Sequence, residues 1–149
     1  MRLALYQPDI PQNTGAMIRL ATCLGIDVDI IEPCGFPFSV KELHRAGMDY
    51  LDHANIIRHS SWGHFQKFAK NSGARVILLT TKSSKNYTKI KYFKNDIILM
   101  GRESAGAPEE VHNFASERVL IPMKGGLRSL NVATSAAMVL GEALRQINI

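Results

Sequence analysis

The sequence predicts an α/β fold in a single domain, with a mainly parallel sheet flanked by helices. Three observations carry this expectation. RVILL at Arg75 to Leu79 and DIILM at Asp96 to Met100 are apolar almost throughout, the pattern of strands buried on both faces. Segments with apolar residues at helical spacing, closed by caps and glycines, alternate with these runs. The length of 149 residues, 46% of them hydrophobic, suffices for one core and calls for no second domain.

Arg2 to Tyr6 alternates and stops before Pro8, a first strand running into a loop with Gln7, Asp9, Pro11 and Gln12. A helix follows, capped by Asn13 or Thr14, with Met17, Leu20, Ala21 and Leu24 as its stripe and Gly25 as its stop. Arg19 falls off that stripe. Val28 to Ile31 is the second strand, and Ser39 caps a short helix through Ala46 that Gly47 ends. Asn55 to Arg58 is the third strand. Ser60 caps a helix with Trp62, Phe65, Phe68 and Ala69 on one face, closed by Gly73. The runs Arg75 to Leu79, Asp96 to Met100 and Arg118 to Ile121 complete the sheet, with a short helix opening at Pro108, Glu109 and Glu110. These three strands end in loops at Thr80, Gly101 and Pro122. In open α/β sheets ligands bind outside such carboxyl ends, so the loops are expected to converge.

The last strand breaks into a loop with Gly125 and Gly126, then into a small-residue helix from about Asn131 with Val132, Ala136, Val139, Leu140 and Ala143 at helical spacing. A cofactor site at that break and a helix simply buried against a sheet or another subunit both fit the stretch.

The net charge of +5 is unevenly spread. His53 to Asn95 holds nine bases and no acid, among them Lys82, Lys85, Lys89, Lys91 and Lys94, while the rest of the chain holds nine bases against thirteen acids. Segregated positive charge is the footprint of a polyanion, and Tyr87, Tyr92 and Phe93 among the lysines offer stacking surfaces for RNA. A solvated face is the competing reading. No apolar run is long enough to span a bilayer, and MRLALYQPDI lacks the apolar core of a signal peptide, which predicts a cytosolic protein with no membrane partner. Cys23 and Cys34 match no metal spacing and are read as reduced thiols. The five histidines show no ligand pattern, so no metal is expected. The dinucleotide fingerprint, the phosphate loop, the nucleophile elbow and the metalloprotease helix motif do not occur.

NTGAMIR at Asn13 to Arg19, ILMGRESAGAP at Ile98 to Pro108, and IPM followed by RSLNVATSAAMVL resemble, in order and spacing, the signature blocks of the SPOUT-class RNA 2'-O-methyltransferases. With LYQPDIPQNTG, IIEPCGF, HRAGMDY and LTTK, the chain is most similar to the small members that act on the tRNA wobble nucleotide. The resemblance implies a C-terminal deep trefoil knot, although general topology rules argue against knots. It also implies an S-adenosylmethionine site at Leu79, Thr80, Gly101, Ile121, Met123, Ser129 and Leu130. Arg19 becomes the catalytic candidate, with Glu103 and Asn131 beside the reacting centre. It further implies methyl transfer to the ribose 2'-hydroxyl of tRNA position 34, a cytidine or modified uridine, by a homodimer in which Arg19 reaches the neighbouring subunit's cofactor.

The last helix, with Ala133, Ala136, Ala137 and Gly141, is the expected seam of that dimer. Gly141 stands where related small members often carry an aromatic, so the seam is expected to differ locally. The acid-free basic stretch, with Lys82, Lys85, Lys89, Lys91 and Lys94, is the expected RNA contact. Two other readings stand beside this one. A non-catalytic RNA-binding protein accounts for the basic stretch but leaves the three strand-end loops without a purpose. Methylation of a different RNA nucleotide, at a base nitrogen, calls for an acidic base in place of Arg19.

Overall fold

The structure, a computed structural model, describes residues 1–45 and 49–147. Six parallel strands are observed: β1 (Arg2–Tyr6), β2 (Asp27–Ile31), β3 (Ile56–His59), β4 (Val76–Leu79), β5 (Ile97–Met100) and β6 (Glu117–Val119). They lie in the order β3-β2-β1-β5-β4-β6. Among the described residues five α-helices flank them: α1 (Pro11–Cys23), α2 (Val40–Arg45), α3 (Trp62–Ser72), α4 (Glu109–Phe114) and α5 (Val132–Gln146).

Alternate residues of each strand feed two cores, as the period of a strand requires. Leu3 and Leu5 pack with Met17, Ile18 and Ala21 of α1 and with Ala136, Val139, Leu140 and Ala143 of α5. Ala4 and Tyr6 pack on the other face with Trp62 and Phe65 of α3 and Val111 of α4. Winding runs outward from β1 through β2 to β3, then restarts on the other side, so the order reverses between β1 and β5. Ligands of doubly wound sheets bind at the carboxyl side of such a reversal.

Three local expectations are corrected. Helix α1 begins at Pro11 with Ile10 as its N-cap and no side-chain cap, so neither Asn13 nor Thr14 caps it. Proline loses nothing at a first helical position, where its missing N–H has no intrahelical use. Thr14 instead donates its hydroxyl to the Ile10 carbonyl at 3.2 Å. Helix α3 is capped by Ser61, whose hydroxyl accepts from the His64 N–H at 3.2 Å, while Ser60 bonds the His64 ring. Strand β6 ends at Val119, two residues short of the expected Ile121. Ser39 does cap α2, accepting from the Glu42 N–H at 3.1 Å. The end of that helix, expected at Ala46 and Gly47, lies outside the described residues.

Candidate active site

The three strand-end loops meet. Thr80 follows β4 and donates its N–H to the Val119 carbonyl at 2.9 Å, which ties the ends of β4 and β6 together. Gly101 follows β5, and the segment after β6 returns past both to start α5. Between them lies a cavity of about 520 Å³, within the range of small-molecule sites. Its wall contains Leu79, Thr80, Gly101, Ile121, Met123, Ser129 and Leu130, every residue named above for the cofactor, together with Glu103, Asn131 and Lys82.

Each wall segment is held by its own geometry. At Gly101 a Cβ would lie 2.8 Å from the Gly106 carbonyl carbon and 3.0 Å from the Ala107 nitrogen. Only glycine lets the chain pass, because the neighbours are backbone atoms of a tight hairpin. That hairpin is closed by Arg102 N–H to Gly106 O at 2.8 Å and Gly106 N–H to Arg102 O at 2.9 Å. Asn131 caps α5, its Oδ1 accepting from Ala133 and Thr134 N–H at 2.9 and 3.1 Å. Its remaining Nδ2 donates to Asn13 Oδ1 at 2.9 Å, which joins the start of α5 to α1.

Thr80 Oγ1 stands 2.9 Å from His112 Nε2, and His112 Nδ1 stands 3.1 Å from the Pro108 carbonyl. A carbonyl only accepts, so the ring proton is on Nδ1, and Nε2 accepts from the Thr80 hydroxyl. That hydroxyl also accepts from the Lys82 N–H at 3.2 Å.

Glu103 carries the perturbed chemistry of the site. Its Oε2 accepts from the Asp9 N–H at 3.0 Å, and its carboxyl faces that of Asp9. Burial first, and the Asp9 carboxyl second, hold the Glu103 pKa above its ordinary value. Asp9 moves the other way, lowered by its bond to Glu103 against the opposing effect of burial and helped by the Ser104 hydroxyl and Arg102. Two carboxyls side by side do not both ionise freely, and of the pair Glu103 is the one that holds its proton more tightly. Cys34 offers no nucleophile of this kind: burial and Glu32 push its thiol up to about 11.

Arg19 is not in this wall. It is exposed on α1, six residues or about 9 Å of helix beyond Asn13, with its guanidinium over the Tyr50 ring. The lysines divide. Lys82 lines the cavity, and Lys85 and Lys89 lie on the same connection after β4. Lys94 sits at the opposite, amino end of the sheet, its carbonyl accepting from the N-terminus, and Lys91 lies 5.4 Å from the Phe93 ring. Lys85 pairs with Glu117 at 2.8 Å, while Arg58 and Arg75 of the same basic stretch answer to Glu32 and Asp96. Of the expected stacking rings, Tyr92 is buried with its hydroxyl donating to the Tyr87 carbonyl, and Phe93 lies under Arg75.

Ala136 is fully buried in its own chain's core, which removes it from any seam between copies. Asn13, Arg102, His112 and Arg128 also line the cavity but were not among the expected site residues. Asn13 and Arg128 sit inside the motif blocks and were within reach of the sequence. His112 carries no sequence signal, because its contact with Thr80 depends on where α4 docks.

A doubly wound parallel sheet with a glycine-lined cavity at its carboxyl ends, walled largely by loop backbone, defines an α/β protein built to take a cofactor-sized molecule. The chain belongs to the SpoU rRNA Methylase family, whose model matches residues 1–141. It is 57% identical over 145 residues to a tRNA (cytidine(34)-2'-O)-methyltransferase of Beijerinckia indica, covering 97% of this chain and 91% of that one. The like-named protein of Escherichia coli K12 is 36% identical, with 99% and 94% covered. Among solved structures, one described as giving structural insights into the 2-OH methylation of C/U34 on tRNA superposes with a TM-score of 0.91 at 38% identity, covering 98% of this chain and 95% of that one. An AdoMet-bound rRNA methyltransferase from Sinorhizobium meliloti superposes with a TM-score of 0.88 at 30% identity, covering 99% of this chain and 57% of that one.

Proposed function

We propose that this chain is a methyltransferase that moves a methyl group from S-adenosylmethionine to the ribose 2'-hydroxyl of the tRNA wobble nucleotide, a cytidine or modified uridine at position 34. One observation carries the reading: three strand-end loops converge on a single cavity in a chain 57% identical to a tRNA (cytidine(34)-2'-O)-methyltransferase. The cavity fits the cofactor in size, and the missing Cβ at Gly101 lets the Arg102–Gly106 hairpin close against the strand end to form one wall. Leu79, Thr80, Gly101, Ile121, Met123, Ser129 and Leu130 would hold it. Bound there, S-adenosylmethionine supplies a methyl group made electrophilic by its sulfonium.

The protein's task is then alignment, which for well-placed reactants is worth on the order of 7 to 11 kcal/mol. Asn131, fixed between Asn13 and the α5 backbone, and Glu103 frame the reacting side. Arg19 acts as a clamp on the adjoining phosphate and on negative charge developing at the 2'-oxygen, because a guanidinium keeps its proton and offers a planar fork of donors. Lys82 at the cavity wall, with Lys85 and Lys89 further along the same connection, would meet the same RNA.

Since Arg19 lies outside its own cavity, the arrangement calls for a homodimer in which each Arg19 serves the partner's site. The outward face of α5 supports this. Ala137 and Gly141 are exposed there, Met138 is 37% exposed, and a Cβ at Gly141 would meet nothing within 4 Å in its own chain. Ala137→Arg is expected to split the dimer and abolish transfer, because burying an unpaired charge costs several kcal/mol. A wild-type protein that sediments as an active monomer at assay concentration refutes the shared site.

The deep trefoil knot belongs to the same reading. Leu120 donates to Lys85 O at 2.8 Å and accepts from Tyr87 N–H at 2.9 Å, and the Gln146 side chain bonds Ile90 and Tyr92 backbone at 3.1 Å each. The connection after β4 thus contacts both the exit from β6 and the end of α5, as expected where a tail is threaded through a loop. Among the described residues no helix is long and apolar enough to cross a membrane, and action on tRNA in the cytoplasm is part of the proposal.

The test is incubation with tRNA and labelled S-adenosylmethionine, followed by nuclease digestion and mass spectrometry. A 2'-O-methyl group at position 34 is expected. A methyl group elsewhere moves the substrate, and failure to bind S-adenosylmethionine with or without RNA leaves only an RNA-binding protein.

A further inference from the structure

Among the described residues Arg19 has no acid partner. Among the described residues its one directional contact is the Tyr50 ring, with the guanidinium carbon 4.7 Å from the centroid. Four arginines behave differently: Arg2, Arg58, Arg75 and Arg145 pair with carboxylates at 2.5 to 2.9 Å. These two kinds of contact have opposite consequences for phosphate binding. A carboxylate occupies the N–H fork at the guanidinium edge, the same donors that take a phosphate bidentately. A ring against the guanidinium face leaves those donors free while fixing the plane in which they lie.

Tyr50 is placed to do this. Its neighbour Leu51 is buried in the core on the α1 face, which anchors the segment, while Tyr50 itself is 38% exposed and its hydroxyl forms no hydrogen bond among the described residues. The ring is not part of either buried core, and its hydroxyl is not used in bonding among the described residues.

We infer that Tyr50 is the positioning residue for Arg19, holding the guanidinium by its face so that the edge meets an RNA phosphate. The inference rests on the proposed transfer to RNA. It is tested with Tyr50→Phe and Tyr50→Leu in the intact protein, measuring kcat, KM for tRNA, S-adenosylmethionine affinity by calorimetry, melting temperature and the Arg19 Nε–H NMR signal.

The phenylalanine variant keeps the ring and is expected to match wild type in every readout. The leucine variant is expected to lose roughly tenfold in kcat, between the few-fold of an exposed cation–π contact and the hundredfold of an ångström's misplacement. Its cofactor affinity and melting temperature should stay the same, while its Arg19 signal averages. Full kcat in the leucine variant overturns the inference, as does an equal loss in both variants or a change confined to KM, which would make the ring an RNA contact. If wild type methylates no tRNA, the proposed function falls instead, and the NMR signal still decides whether Tyr50 orders Arg19.

Discussion

Replacing Gly101 with alanine tests the cavity at the point where its geometry is tightest. The added methyl would sit 2.8 Å from the Gly106 carbonyl carbon, 3.0 Å from Ala107 N and 3.1 Å from Gly106 Cα. All three are backbone atoms, so no side chain can rotate away, and the hairpin closed by the two Arg102–Gly106 bonds at 2.8 and 2.9 Å must shift as a unit. Overpacking of this kind costs about 1–3 kcal/mol. A chain of 149 residues has an unfolding entropy near 0.3 kcal/mol per kelvin, so the melting temperature should fall by roughly 3–10 °C. The hairpin forms one wall of the cavity, so S-adenosylmethionine affinity measured by calorimetry should fall with it. Gly141→Ala is the contrasting change, since a methyl there meets nothing within 4 Å and restores about 1 kcal/mol of helix propensity. A Gly101→Ala protein that melts within about 1 °C of wild type and binds cofactor equally well would show that the hairpin yields freely, refuting the rigid cradle.

Arg19→Lys should keep the fold by circular dichroism yet lose about a hundredfold or more in methyl transfer, since lysine keeps the charge without the planar fork; near-normal turnover would return Arg19 to a surface charge. Reversing Lys82, Lys85 and Lys89 to glutamate should weaken tRNA binding and flatten its salt dependence by about 0.7–0.9 in logarithmic slope per lost phosphate contact. Lys94→Glu, at the other end of the sheet, should leave the slope unchanged, and equal effects would mean that RNA covers both ends. Glu103 yields a pH prediction. Its pKa is raised in the folded chain above an ordinary value of 4.5, so the folded state holds this proton more tightly than the unfolded one. The stabilisation is complete below about pH 4.5 and is lost as pH rises through the folded value. Glu103→Gln should therefore melt higher than wild type at pH 8 by a margin that shrinks toward pH 5, and a constant margin would refute the shared proton.

The strands were legible because burial on both faces forces continuous apolar runs, and Val76–Leu79 and Ile97–Met100 lie within the runs read for them. Their convergence was legible too, because parallel strands put their carboxyl ends on one side. Sequence order cannot tell which of two adjacent serines turns toward the His64 N–H, and Ser60 and Ser61 are chemically equivalent until α3 docks. Asn13 is a good cap by composition, yet its side chain meets Asn131, 118 positions away, a pairing set by α1 lying against α5. The basic stretch divides for a similar reason. Residues contiguous in sequence between β4 and β5 run from the carboxyl to the amino end of the sheet, so Lys82 and Lys94 are separated by the strand length, about 13 Å.

Polar satisfaction divides the molecule along the same axis. Asp29, in the middle of β2, is fully buried and takes Arg2 Nε and His59 Nε2, each at 2.7 Å, while at the amino ends of β4 and β5 Arg75 holds Asp96 at 2.7 Å. These carboxylates are paired in a way that resists loss, because removing one partner strands a buried charge at about 3–5 kcal/mol. At the carboxyl ends the position is reversed. Of the four buried side-chain atoms left without a hydrogen bond among the described residues, Asp9 Oδ1, Arg102 Nε and Glu103 Oε1 lie beside the cavity, and only Trp62 Nε1 lies elsewhere. A shared proton answers two of the three, and Arg102 Nε stands 3.5 Å from Asp9 Oδ2, an ion pair without a hydrogen bond. Incomplete satisfaction is costly in a low-dielectric interior and is kept where groups must answer to something other than their own chain. The sheet is therefore held by paired carboxylates at its amino end and in its middle, while polar groups stay under-coordinated at the carboxyl end, where the three loops meet.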